Sequence, residues 1–97
     1  MMSKMNSIDE FTNISANRLI VRIVNYCSSN GLSIDEMAEK LCFSERFLRS
    51  MIRGERDIRD LSIDGYRQIA WALGISCFTA LILADCLTID DLVDYQH

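Results

Sequence analysis

The stretch from Gly31 to Gly54, GLSIDEMAEKLCFSERFLRSMIRG, leaves this chain few choices: its spacing predicts two short helices joined by a tight turn. Ser33 and Glu36 stand three residues apart, as in a capping box, where serine hydroxyl and glutamate carboxylate each satisfy a backbone group that the first helical turn leaves unpaired. Met37, Ala38 and Leu41 then recur at helical spacing, and the pattern breaks at Cys42 and Phe43. Ser44 caps a second helix with Leu48, Met51 and Ile52 as its apolar positions, and Gly54 ends it. The small side chain of Ala38 lets the second helix cross close over the first.

Three more helices are predicted around this pair. Residues 16–29 carry Leu19, Ile20, Ile23, Val24 and Cys27 on one face. The segment SIDGYRQIAWAL, Ser62 to Leu73, is amphipathic with Ile63, Tyr66, Ile69, Ala70 and Leu73 facing inward, and Gly74 stops it. A short, mostly apolar helix follows near 77–84, with Phe78, Ala80, Leu81, Ile82 and Leu83. Ser7 and Glu10 form another possible box before Phe11 and Ile14. Ninety-seven residues, 49% of them hydrophobic and none proline, suit a single all-α domain of five or six helices.

Three blocks together carry a resemblance. They are the opening Gly31-Leu32-Ser33-Ile34-Asp35-Glu36-Met37-Ala38, the Ser-led helix from Ser44 to Gly54, and the run Ile69-Ala70-Trp71-Ala72-Leu73-Gly74-Ile75-Ser76. In this order and spacing the chain resembles the lambda-repressor/Cro-like helix-turn-helix family over roughly residues 17–84. The resemblance implies a compact DNA-binding domain at 16–85, flanked by an arm or short helix at 1–15 and an acidic tail at 86–97. It implies a sequence-specific transcription regulator that sets its second motif helix in the major groove; the N-terminus MMSKMNSIDEF has no apolar signal core, and a cytoplasmic protein is expected. Small size without an effector domain suggests a repressor of phage, prophage or plasmid type.

Net charge is −4, low for a chain that must neutralise phosphates, but the charge is unevenly placed. Outside residues 18–67 the one base is Lys4, against Asp9, Glu10, Asp85, Asp90, Asp91 and Asp94; inside, nine bases face eight acids. Arg46, Arg49 and Arg53 are spaced i, i+3, i+7 and share one face of the second motif helix. By resemblance, Glu45, Arg46 and Ser50 take the positions that read base edges; Arg46 or Arg49 offers a fork to a guanine and Glu45 an acceptor to a cytosine amino group. Glu45 is also placed to pair with Arg49, its i+4 neighbour. Arg53, Arg56 and Arg22 are assigned to phosphates.

Other classes lack support in the residues. Cys27, Cys42, Cys77 and Cys86 form no C-x-x-C pair and read as reduced core thiols, so no metal or cofactor is expected. The lone histidine is His97, and neither a glycine-rich phosphate loop nor a catalytic constellation is visible, so an enzyme is not expected. No run approaches the ~20 apolar residues that cross a bilayer. The surplus of apolar residues at the C-terminal end, Ile82, Leu83, Leu87, Ile89, Leu92 and Val93, predicts a homodimer surface, as suits reading two half-sites. One alternative stays open. The acidic isoelectric point near 4.8, with Ile34 and Glu45 where many family members carry glutamine, fits a helix-turn-helix module that binds a protein partner, an antirepressor or antitoxin.

Overall fold

Short polar side chains start every helix, and three glycines in left-handed conformation end helices. The structure, a computed structural model, describes residues 14–87. In chain order they form α1 (Arg18–Asn30), α2 (Ile34–Leu41), α3 (Glu45–Arg53), a 3-10 turn (Ile58–Asp60), α4 (Ile63–Leu73) and α5 (Cys77–Leu83). The described part is therefore all-α and compact, with five α-helices. The expected box at Ser7 and Glu10 and most of the 86–97 tail lie outside the described residues.

One core joins all five helices. Leu19, Ile20, Ile23 and Cys27 come from α1, Ile34, Met37, Ala38 and Leu41 from α2, and Leu48, Met51 and Ile52 from α3. Tyr66, Ile69 and Ala70 of α4 and Ala80 of α5 close it, with Ile58 and Ala84 from the connecting segments. Burying each large aliphatic chain contributes about 1.5–3 kcal/mol. No charged or polar side chain is buried among the described residues.

The α2–α3 turn falls where the helical pattern breaks, and it holds a left-handed residue. Ser33 Oγ accepts from the Glu36 N–H while the Glu36 carboxylate accepts from the Ser33 N–H at 2.8 Å, completing the box. At the other end Cys42 takes φ 61° and ψ 33°. Its N–H reaches Glu39 O at 3.1 Å and the Phe43 N–H reaches Ala38 O at 2.9 Å, the two bonds of a Schellman turn. A Cβ in that conformation costs about 1–2 kcal/mol, against the greater freedom glycine has in the unfolded chain. Cys42→Gly should therefore stabilise the domain by about 0.5–1 kcal/mol, and thermal unfolding should rise by ~2–8 °C. A lower midpoint would show that the thiol makes contacts worth more than the strain.

Asn17 ties the two ends of the fold together. Its Oδ1 accepts from the N–H groups of Leu19 and Ile20 at 3.0 and 3.4 Å, while its Nδ2 donates to Ala84 O at 3.1 Å, just past α5. Arg18 Nη2 adds a bond to Ile82 O at 2.9 Å and one to Asp85 at 3.4 Å. Asn17→Ala loses both cap and tie and should cost about 2 kcal/mol. Asn17→Asp keeps the cap and loses the donor, so denaturant titration should place it between the two. If Asp matched Ala, the cap would contribute nothing.

Several expectations need correction. α1 begins at Arg18 rather than residue 16, because Asn17 is its cap. Val24 and Leu73 are half-buried, and Ile63 is 50% exposed rather than inward. Leu61 takes the place expected of Ile63: it folds over Gly65, where an added Cβ would meet Leu61 Cγ at 2.5 Å. Of the four cysteines only Cys27 is fully buried; Cys77 and Cys86 are half-buried and Cys42 is exposed. Burial pushes the Cys27 thiol up to about 11.

Candidate nucleic-acid interface

Local sequence sets the orientation of α3. Leu48, Met51 and Ile52 fix its inner side, so Arg46 and Arg53 project outward and are exposed, with Glu45 beside them in the first turn. Arg46 forms no ion pair with any described residue, which leaves its five N–H donors to solvent. Arg53 approaches Glu55 at 4.0 Å.

Arg49 and Ser50 depart from the expected arrangement. Arg49 donates through Nε and Nη2 to Glu45 Oε2 at 3.0 and 2.7 Å, and its side chain is only 17% exposed. The i+4 pairing weighed from the sequence is thus the one present. Ser50 is half-buried rather than projecting, and its hydroxyl donates to the Phe47 carbonyl at 2.8 Å. Part of the Arg49 fork and the Ser50 hydroxyl proton are thus already engaged within α3.

Past the helix, an aromatic pair positions a cation. Phe43 and Phe47 meet edge to face, centroids 5.3 Å apart, and the Arg56 guanidinium lies 5.2 Å from the Phe47 ring centre. Such stacking holds Arg56 near the end of α3 while leaving its N–H edge free to donate. A groove of about 450 Å³ runs beside this stack between the α2–α3 turn and the start of α4, with Cys42, Asp60 and Ser62 on its walls. Sequence reading missed the stack, because Phe47 and Arg56 sit on different elements and no short-range spacing joins them.

The next arginine is neutralised locally. Arg59 bonds Asp57 at 2.8–3.1 Å, and this guanidinium holds the Asp57 carboxyl below the usual carboxylate range. Behind it, Tyr66 donates to Ile58 O at 2.6 Å and lies 3.0 Å from the Cys86 thiol. Burial, then the contact with Cys86, pushes the Tyr66 hydroxyl well above its ordinary range. Arg22 on α1 is exposed, as a phosphate contact requires, whereas Arg18 serves the tie to α5.

The expected dimer residues are divided. Ile82 and Leu87 are half-buried, and Leu83 is half-buried against the core, so part of its surface is already used. Phe78 on α5, 57% exposed, was not among the residues expected there. Ile89, Leu92 and Val93 lie outside the described residues. Among the described residues no group of His, Cys, Asp and Glu is placed to hold a metal ion, and no single helix is long and apolar enough to cross a membrane.

Comparison with protein-family models, with curated proteins and with solved structures finds no match to this chain.

Proposed function

We propose that the chain is a sequence-specific DNA-binding transcription regulator of the lambda-repressor/Cro-like type, a cytoplasmic homodimeric repressor that reads the major groove of an operator with α3. The observation that carries this reading is the exposed face of Arg46 and Arg53 on the second helix of a Ser-capped helix pair. A helix of this kind fits the major groove, its first residues reaching base edges and its end meeting the backbone. Arg46 offers a bidentate fork to guanine, and Glu45 an acceptor to a cytosine amino group. Arg49 joins the reading when its pair with Glu45 opens. Arg53, Arg56 and Arg22 take phosphates, Arg56 already oriented by Phe47. Ile82, Leu83 and Leu87, continued by Ile89, Leu92 and Val93, supply the contact between the two copies, with Phe78 adding exposed apolar area.

A second reading is favoured by the engagement of Arg49 and Ser50 within α3 and by the net charge of −4. On it, the same helix pair serves a protein partner, as an antirepressor or antitoxin would. Heparin chromatography at low salt separates the two. A DNA-binding face should be retained and should elute as salt rises, since phosphate mimicry is screened and counterions compete. Elution in the void at low salt would favour the protein-binding reading.

A further inference from the structure

Trp71 stands outside both the core and the arginine face. It is 73% exposed on α4, although a tryptophan usually buries most of its large apolar surface. The Lys40 ammonium, at the end of α2, lies 5.7 Å from the ring centre. Lys40 forms no ion pair with any described residue. Arg67 stands one helical turn before Trp71; among the described residues it pairs only with Asp64, 3.9 Å away, and the two side chains are 70% and 87% exposed. Lys40, Cys42, Arg67, Gln68 and Trp71 line an open groove of about 610 Å³, and no carboxylate lines it.

We infer that this groove docks an acidic segment of a partner protein, with Trp71 as the apolar anchor and Lys40 and Arg67 as the carboxylate contacts. Charge decides the class of occupant. The chain is acidic as a whole, yet this groove is lined by two cations and an aromatic ring. Tryptophan in the company of cations matches the composition of binding hot spots, where an aromatic anchor supplies area and charged neighbours select the partner. Gln68 can both donate to and accept from the backbone of an extended segment. Two cations are too few to follow a nucleic-acid backbone, and Lys40 already covers one face on which a base would stack.

The inference is independent of the DNA reading, and Arg46→Ala protein serves as the control for that. The test selects from a random 12-residue peptide library on the intact protein, then measures labelled enriched peptides by fluorescence anisotropy. The expected result is enrichment of peptides that combine Asp or Glu with an aliphatic or aromatic residue. Trp71→Ala and the double variant K40E/R67E should each weaken them about tenfold or more, while Arg46→Ala leaves them unchanged. Trp71 is the single tryptophan, so its emission in the wild type should shift on binding. Circular dichroism checks that the variants, altered at exposed positions, keep their helices. No enrichment, peptides without carboxylates, or affinity unchanged in the variants would overturn the inference. So would a Trp71 emission shift on adding single-stranded DNA that displaces the peptides, which would assign the groove to nucleic acid.

Discussion

Arg46→Ala should weaken binding to the cognate duplex about 5- to 150-fold, a loss of ~1–3 kcal/mol for one bidentate base contact. The expectation rests on the freedom of this side chain: it is exposed on the outer side of α3 and forms no ion pair with any described residue. Arg49→Ala should lose less, because part of the Arg49 fork is already held to Glu45 by two bonds at 3.0 and 2.7 Å. Removing the acid tests the same point from the other side. Glu45→Ala releases Arg49 and should change which bases are preferred at one position, with only a small change in total affinity. Arg53→Ala and Arg56→Ala should weaken all duplexes alike and lower the salt slope by about one unit each. Electrophoretic mobility shifts across a salt series measure all five variants, with circular dichroism as the check on folding. Equal binding by Arg46→Ala and the wild type would remove Arg46 from the interface.

The largest effect on stability should come from Leu48→Ala. Leu48 is fully buried on the inner side of α3, among the residues that seat this helix against α1 and α2. Leucine truncation in such a site costs about 2–5 kcal/mol, through lost transfer energy and the cavity left behind. That is a large share of the ~5–15 kcal/mol that holds a domain together. Thermal unfolding should fall by at least ~10 °C, and helical signal should be lost in one cooperative step. DNA binding at low temperature should survive in the folded fraction, since Leu48 itself is fully buried and away from solvent. A shift of only a few degrees would mean that α3 repacks into the space.

How far the sequence announces the structure depends on the range of the interaction. The boundaries of α2, α3 and α4 were legible because they carry chemical marks: Ser33, Ser44 and Ser62 each accept a backbone N–H, and Gly54 and Gly74 stop helices at positive φ, whereas the Asn17 cap of α1 was missed. Cys42 was legible as the break between the two motif helices, though its left-handed conformation is read from the structure. The Glu45–Arg49 pair was legible as an i, i+4 contact. What escaped is set by tertiary packing. Ile58 anchors a 3-10 turn inside the charged segment ERDIRDLS, where no periodicity marks it. Helical spacing points Ile63 inward, but Leu61 reaches over Gly65 first and leaves Ile63 outside. The stack of Arg56 on Phe47 and the approach of Lys40 to Trp71 likewise join separate elements. In the candidate interface, spacing identified the arginine face, but not that Ser50 spends its hydroxyl on the Phe47 carbonyl.

The most direct test of the central claim is selection of bound fragments from a random double-stranded DNA library, repeated across a salt series. A dimeric regulator that reads the major groove with α3 predicts an enriched motif with inverted half-sites about one helical turn apart, and steep loss of binding as salt rises. Absence of any enriched motif, from protein shown to be folded, would contradict it and leave the arginine face to a protein partner.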